Sequence, residues 1–162
     1  MSDELTTPYL PAVGCVADLS KEDRDTLSTY GDFHLAEAAT VLIRQGDSHG
    51  KLFLVLSGLL HAVRREEDRD ALLGSIQKGE WLGEVDLFDP SSTMCSVIVR
   101  ETAQYWVIDR ENLQQFLSTY PEAGIQLLIG IASTLSRRLR GITGRLMEES
   151  QLANLRAALL TP

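Results

Sequence analysis

The chain has 162 residues, 44% of them hydrophobic, which is enough to fill the core of one domain. Fifteen basic residues against 23 acidic ones give a net charge of −8, and a surface that acidic repels nucleic acid unless its basic residues are gathered in one place. The longest apolar run, residues 52–60, is far shorter than the ~20 residues that a membrane helix needs, so no membrane partner is expected.

The N-terminal region predicts an irregular segment over residues 1–19, in which Pro8 and Pro11 interrupt any periodicity. Its first residues lack the basic stretch and apolar run of a secretory signal, which favours a cytoplasmic protein. Ser20, followed by an acidic residue three positions later, is typical of a helix N-cap. A helix of two or three turns should follow, ending near Gly31.

Short β-rich runs separated by turn residues occupy the middle of the chain and predict a barrel or sandwich. The predicted strands cover residues 40–44, 51–56, 59–63, 71–76, 95–99 and 105–108. Ser57 and Gly58 are expected to separate two of them. Residues 64–70 are all charged, which predicts a solvated hairpin loop, with a partner-docking loop as the alternative.

Two helices are predicted at the C-terminal end. One covers residues 109–117, and a second begins at Pro121, because proline suits the first turn of a helix. Apolar residues of the second helix recur at alternating three- and four-residue intervals, the pattern of a coiled-coil seam. The seam comprises Ile125, Leu128, Ala132, Leu135, Leu139, Ile142 and Leu146. It predicts a homodimer; the alternative is that the stripe packs on the chain's own barrel, as its first turns are expected to do.

Four ordered blocks resemble the cyclic nucleotide-binding domain shared by catabolite activator proteins, protein kinase A regulatory subunits and cyclic-nucleotide-gated channels. They are QGD (45–47), LFLVLSGLL (52–60), GEWLGE (79–84) and VIDRENL (107–113). The resemblance implies a mainly β fold with flanking helices: an antiparallel β-roll (a double-stranded β-helix, jelly-roll-like) over residues 20–120. A long C-terminal helix over residues 121–160 would serve dimerisation.

In that family the ligand lies in a phosphate-binding cassette that begins with a Gly-Glu pair and closes with an Arg-Ser/Thr-Ala triplet. The resemblance places Gly83 and Glu84 at the pair, where Glu84 would accept a hydrogen bond from a ribose hydroxyl. The triplet falls on Thr93, Met94 and Cys95, so both side chains that would bind phosphate are replaced. The full candidate ligand site is Leu82, Gly83, Glu84, Val85, Thr93, Met94 and Cys95.

Asp86 stands where the family usually has a small residue. Its carboxylate either points inward, where it would repel an anionic ligand, or caps the short cassette helix. Arg44, Arg64 and Arg65 remain open as substitute cations, although arginines are mostly exposed. The cassette therefore predicts weak or altered binding of a cyclic nucleotide, with cAMP or cGMP as the possible regulatory ligand, or no nucleotide binding at all.

No catalytic or metal site is predicted. Three scattered histidines and two cysteines without CxxC spacing form no ligand set, and both cysteines are expected as free thiols. Trp81 and Trp106 are expected in the core.

Two functions are compatible with the sequence: a non-enzymatic nucleotide-sensing module that signals through its C-terminal helix to a protein partner, and a degenerate, dimeric interaction scaffold. Residues 121–162 contain a basic group, Arg137, Arg138, Arg140 and Arg145, which is expected to flank the seam or to meet an acidic partner. DNA binding is not expected, because about 20 residues beyond Arg140 are too few for a helix-turn-helix.

Overall fold

A computed structural model describes residues 9–67 and 69–160, without the side chains of residue 155 and residues 157–160. The helices are α1 (Lys21–Ser28), α2 (Glu84–Phe88), α3 (Arg110–Thr119) and α4 (Pro121–Leu160). The strands are β1 (Asp32–Ala36), β2 (Val41–Ile43), β3 (Lys51–Glu66), β4 (Arg69–Ile76), β5 (Trp81–Leu82) and β6 (Ser96–Asp109). The predicted mainly β fold with flanking helices and a long C-terminal helix is confirmed.

All strand pairs are antiparallel. The sheet follows the order β1-β6-β3-β4, with β2 paired to β6 and β5 paired to β3. Strands β3 and β6 are the two longest and pair along most of their length, so they carry the other strands on both sides. The result is the antiparallel roll that the sequence predicted.

The β3–β6 ladder divides the apolar core in two, because successive side chains of a strand point to opposite faces. One cluster lies within the roll and includes Phe53, Val55 and Val99. The other lies between the roll and the helices and is built around Leu54 and Trp106. Both tryptophans are buried, as expected: Trp81 is 2% exposed and Trp106 1%.

The first helix confirms its predicted cap. The hydroxyl oxygen of Ser20 accepts a hydrogen bond from the Asp23 amide, and the helix ends at Ser28, before Gly31. The N-terminal segment contains more structure than expected: residues 14–16 form a 3-10 turn, and Cys15 and Val16 are buried beneath the helices. Residues 1–8 of the predicted irregular segment lie outside the described residues.

Two predicted strand breaks are absent. Ser57 and Gly58 do not end a strand; they form bulges within β3, where the register against β6 shifts three times. Gly58 has a φ of 86°, which a glycine adopts without strain. The strands predicted over residues 95–99 and 105–108 likewise join into β6.

The charged stretch over residues 64–70 is also more ordered than the predicted loop. Strand β3 extends to Glu66 and β4 begins at Arg69, so most of these residues pair across a hairpin; residue 68 lies outside the described part. Arg65 donates two hydrogen bonds to the Asp70 carboxylate, at 2.9 and 3.2 Å. Charged side chains on an edge hairpin keep the strands soluble without ending them.

The long helix contacts the roll through one face, formed by Ala123, Leu127 and Ile131. Gly130 lies on this face, and a Cβ atom there would collide with the carbonyl oxygen of Cys15. The predicted seam is not this face: its residues are exposed from the first turn onward, with Ile125 at 56% and Leu139 at 66%. The expectation that the first turns of the seam pack on the barrel is therefore wrong.

We predict that Gly130→Ala lowers the free energy of unfolding by about 1–3 kcal/mol, because the new methyl group must push α4 away from the 3-10 turn. The matched control is Gly141→Ala, which meets open space and should stabilise the helix by up to about 1 kcal/mol through helix propensity. Urea unfolding followed by circular dichroism compares the two. Equal stabilisation by both substitutions would show that α4 does not pack closely at Gly130.

Candidate functional site

The candidate cassette begins at the corner between β5 and α2. Gly83 has a φ of 89°, and a side chain there would meet the backbone of Lys51 and the ring of His49. Glycine is therefore required both for the backbone conformation and for the close approach. Helix α2 follows at once, and the Leu87 amide donates to the Gly83 carbonyl.

Glu84, the first residue of α2, forms an ion pair with the long C-terminal helix. Its carboxylate is buried, and Nη1 of Arg138 donates to its Oε1 at 2.7 Å. The second terminal nitrogen of Arg138 donates to the carbonyl oxygen of Trp81, at the start of β5. One guanidinium thus contacts both ends of the corner that carries Gly83. A small cavity lies at this junction, between Trp81, Glu84 and Thr134.

Arg138 is a site residue that the sequence analysis missed, since its group was expected to flank the seam or to meet a partner. A signal was present, however. Arg138 follows Leu127, Ile131 and Thr134 at helical spacing, so it lies on the face that contacts the roll. An arginine that ends a buried helical face needs an acceptor, and the buried carboxylate of Glu84 provides it.

Asp86 holds the cassette helix against the loop between β2 and β3. It is 3% exposed, and its carboxylate accepts hydrogen bonds from the Ser48 hydroxyl at 2.8 Å and from the His49 amide at 2.6 Å. The amides of Gly50 and Ser91 also donate to it. These donors, led by the Gly50 amide, hold the pKa of Asp86 well below its usual range. The carboxylate therefore points inward and does not cap the helix from outside, and it is bound there by backbone donors of neighbouring loops.

His49 is a second residue that the sequence left unassigned, and its side chain is only 15% exposed. Its side chain packs edge-on against Phe53 and behind Gly83. Nδ1 accepts a hydrogen bond from the Lys51 amide at 3.0 Å, and burial lowers the pKa of the imidazole. His49 is thus a neutral packing residue beneath the cassette.

The triplet position does not present a hydroxyl to the cassette. Thr93 Oγ1 donates to the carbonyl oxygen of Arg44 at 2.7 Å, and the Thr93 amide donates to Asp47. These bonds fasten the end of the cassette to the loop after β2. Met94 is 70% exposed. Cys95 is half-buried; burial raises the pKa of its thiol, and the positive charge of Arg64 partly offsets that effect.

The structure brings together only part of the predicted ligand site. Gly83 and Glu84 share one corner with Arg138, whereas Leu82 is buried within the roll and Val85 is 62% exposed. Over the ranges 9–67 and 69–160, no group of three or more histidine, cysteine or acidic residues is arranged to hold a metal. No helix in the same ranges is both long and apolar enough to cross a membrane.

Comparison with known proteins identifies the fold and the family. A family profile described as "Cyclic nucleotide-binding domain" matches residues 34–120. The CRP-like protein Clp of Xanthomonas campestris pv. campestris is 38% identical over 109 residues, which cover 64% of this chain and 46% of Clp. The chain thus spans about half the length of the curated relatives it matches.

Solved structures agree. A cyclic nucleotide-binding domain from Methylobacillus flagellatus superposes with a TM-score of 0.77 at 23% identity, over 82% of this chain and 75% of the other. The Thermus thermophilus catabolite activator protein gives 0.73 at 24% identity, over 89% and 63%. The Xanthomonas campestris regulator CLP, described as c-di-GMP responsive and as linking cell-cell signalling to virulence gene expression, gives 0.68 at 28% identity, over 75% and 60%.

These relatives correct one expectation. DNA binding was not expected, because about 20 residues beyond Arg140 are too few for a helix-turn-helix. The relatives include the CRP-like protein Clp and the global regulator CLP, which is described as acting on virulence gene expression, so the exclusion of DNA binding is wrong. The number of residues beyond Arg140 carries no argument, because the matched relatives are about twice as long as the region they share with this chain.

We predict that Asp86→Asn lowers the free energy of unfolding by about 1–3 kcal/mol near neutral pH, because an amide replaces the charged acceptor of several buried donors. The native pKa of Asp86 is lowered, so its contribution is complete above the ordinary aspartate pKa and is lost as the pH falls below it. Urea unfolding between about pH 6 and pH 3 should therefore show a smaller acid loss for the variant than for the parent. Parallel pH profiles would contradict the assignment. Because Nδ1 of His49 lies 3.7 Å from the Asp86 carboxylate, both proteins are compared with His49→Gln in place.

Proposed function

We propose that this chain, which belongs to the cyclic nucleotide-binding domain family, is a non-enzymatic regulatory module. It senses a cyclic nucleotide or a related ligand in an altered way. The roll, residues 20–120, is the sensing part, and the helix over residues 121–160 transmits the signal to a partner. The observation that carries this proposal is the ion pair between Glu84 of the cassette and Arg138 of the helix.

The ion pair couples ligand binding to the helix. A ligand hydroxyl that hydrogen-bonds to Glu84 must share or replace the donor that Arg138 supplies. Since the same guanidinium also contacts the Trp81 carbonyl, any displacement of Arg138 alters how α4 is held at the corner. The size of the response is limited by the difference in ligand affinity between the two positions of the helix.

The ligand chemistry differs from the usual family pattern. The Thr93 hydroxyl is bonded to the Arg44 carbonyl, and Met94 faces solvent, so neither supports a phosphate in the family's manner. The proposed ligand is therefore a cyclic nucleotide or a related phosphate ester bound through other contacts. The c-di-GMP responsiveness attributed to CLP makes cyclic dinucleotides worth testing beside cAMP and cGMP.

We assign no catalytic role. The two buried carboxylates of the cassette, Glu84 and Asp86, are each held by donors from this chain, so neither is placed as a general base. The global regulator CLP is described as linking cell-cell signalling to virulence gene expression, which favours gene regulation in the cytoplasm as the output of this chain.

The long helix is also proposed to form a homodimer. The seam from Ile125 to Leu146 lies roughly a quarter turn around α4 from the face that contacts the roll. It is exposed along its length, and its heptad spacing makes it complementary to a second copy of itself. A second copy of this chain is therefore the proposed occupant.

One alternative function is favoured by a specific observation. The Thr93 hydroxyl is hydrogen-bonded to the loop after β2, and Asp86 holds the cassette helix to the loop before β3. The corner can therefore be stable without a ligand. The chain would then be a degenerate member of the family that binds no nucleotide and acts as a dimeric protein-interaction scaffold.

We predict that titration calorimetry of the parent with cAMP, cGMP and c-di-GMP shows saturable binding of at least one of them. Glu84→Gln should weaken that binding by about tenfold or more, because the hydroxyl acceptor loses its charge. Glu101→Gln, at an exposed position of β6, is the matched control and should bind like the parent. Binding should also change hydrogen exchange in residues 134–146 of the parent, and Arg138→Gln should remove that change.

The outcomes separate the two functions. If none of the three nucleotides binds in the calorimeter, the sensing function is contradicted and the scaffold function is supported. Binding that leaves exchange in residues 134–146 unchanged in the parent contradicts signalling through the helix. Arg137→Gln controls for loss of a helical arginine, because the Arg137 side chain is exposed and hydrogen-bonds to Thr134 of its own helix.

We predict that Leu139→Asp converts a dimeric parent into a monomer in light scattering, because a carboxylate would enter the apolar seam. Ser133→Asp adds the same charge to an exposed position of the same helix away from the seam and should leave the dimer intact. A monomeric parent, or equal dissociation by both variants, would contradict the proposed seam.

A further inference from the structure

The interior face of the roll can be followed along β3 from its paired residues. Directly paired residues of antiparallel strands point to the same face. Leu60 pairs with Val99, and both belong to the core within the roll. Two residues further, Ala62 pairs with Val97, another member of that core. The interior face of β3 therefore runs through Leu60 and Ala62.

Arg64 is the next residue on this interior face. It lies two positions beyond Ala62 on β3. The register irregularity between β3 and β4 comes from one additional residue in β4, so β3 itself is regular between Ala62 and Arg64. Its charge acts on the half-buried thiol of Cys95, immediately before β6, which places the two side chains near one another. A guanidinium thus follows a series of apolar residues at one end of the roll.

This end of the roll is open because its other interior residues are small. Across the hairpin, Arg64 pairs with Ala71 and Ala62 pairs with Gly74, and both β4 residues are exposed. We call the end formed by Ala62, Arg64, Ala71, Gly74 and Cys95 the roll mouth. Deeper in the roll the corresponding positions are filled by the larger side chains of Leu60 and Ile76.

The guanidinium of Arg64 retains free donor capacity. Its Nε lies 2.9 Å from Oε1 of Glu66, two residues along the same strand, and the Glu66 side chain is 64% exposed. Its terminal nitrogens donate no hydrogen bond to any residue that the structure describes. Arg65, its neighbour, differs: it is bound by both oxygens of Asp70. Arg64 therefore has donors available to a ligand.

The mouth is also braced. The side chain of Gln45 accepts a hydrogen bond from the backbone amide of Arg65 at 2.8 Å and donates one to the Arg65 carbonyl oxygen. The backbone amide of Gln45 donates to Ser96 Oγ. These bonds tie the end of β3 to the start of β6, on either side of Arg64 and Cys95. The arginine backbone is thereby fixed before any ligand arrives, which reduces the ordering that binding would require.

We infer that Arg64 in the roll mouth binds the phosphate of an anionic nucleotide ligand, in place of the cation that the cassette lacks at Thr93. The inference rests on the proposed function and assigns the phosphate contact to β3. A guanidinium presents paired donors that match phosphate oxygens. The exposed Glu66 is its present partner and can turn to solvent when a phosphate replaces it, since exposed ion pairs contribute little.

The test compares Arg64→Leu, Arg64→Lys and Arg65→Leu with the parent by titration calorimetry, using whichever of cAMP, cGMP and c-di-GMP binds the parent. Arg64→Leu should weaken binding by about tenfold or more, and Arg64→Lys should retain part of it as a point charge without paired donors. Arg65→Leu, the matched control, removes an equal charge at the next residue and should bind within about twofold of the parent. Parent affinity should fall with added salt, and less steeply in Arg64→Leu.

The outcomes distinguish this inference from the proposed function. If the parent binds and Arg64→Leu binds equally well, the inference is wrong and the sensing function stands. If Arg64→Leu and Arg65→Leu lose affinity equally, the hairpin contributes only general positive charge and the inference is wrong. If the parent binds none of the three nucleotides, both fail. Circular dichroism melts of all variants identify a loss of binding that comes from unfolding. If Arg64→Leu is unfolded, Arg64→Lys, which preserves length and charge, replaces it, and an affinity equal to that of the parent then contradicts the inference.

Discussion

The antiparallel ladder between β3 and β6 is the constraint on which the other contacts depend. It gives the sheet two apolar faces, one enclosed within the roll and one covered by the helices. Its bulges around Ser57 and Gly58 twist the strands between these two cores. Because α3 follows β6 directly and α4 follows α3, the position of the long helix is determined by where the ladder ends.

The cassette occupies the junction between the two faces, and its buried carboxylates have different partners. Glu84 faces the long helix and is held by Arg138, whereas Asp86 faces the loops and is held by backbone amides. Helix α2 is also fixed at its far end, since Arg110 at the start of α3 donates to the carbonyls of Asp86 and Leu87. Asp86 and Arg110 thus make α2 a rigid part of the roll. Glu84 is the point at which this rigid part contacts the element that can transmit a signal.

The sequence predicted features whose cause is local. The Ser20 cap, the start of α4 at Pro121 and the burial of both tryptophans follow from short-range chemistry and hydrophobicity. Gly58 could not be assigned from the sequence, because the positive φ that ends a strand in a turn also permits a bulge within one. The seam on α4 was visible as a repeat, but the face that packs on the roll is set by Gly130 and the Cys15 carbonyl, which meet only in the fold.

Of the candidate site, the sequence located the Gly83–Glu84 corner and the altered triplet, but it missed the partners. Arg138 is 54 residues from Glu84, and Asp86 meets amides that are 36 and 37 residues away. Spacing along a chain carries no information about contacts over such separations. The family resemblance could not supply them either, because Asp86 departs from the usual pattern. Its role depends on which loop the fold places above it.

The position of Arg138 on the same helix as the seam links the two proposed properties of the chain. If a ligand at Glu84 changes the position of α4, the change is transmitted to Leu139 and Ile142, which lie on the adjacent face of the same turns. Thermodynamic linkage makes such coupling reciprocal, so dimerisation would alter ligand affinity by the factor by which ligand alters dimerisation. Coupling energies between sites are typically about 1–3 kcal/mol. Separating the ion pair leaves the buried Glu84 carboxylate without its partner, and the free-energy cost of that separation is large enough to supply such a coupling energy.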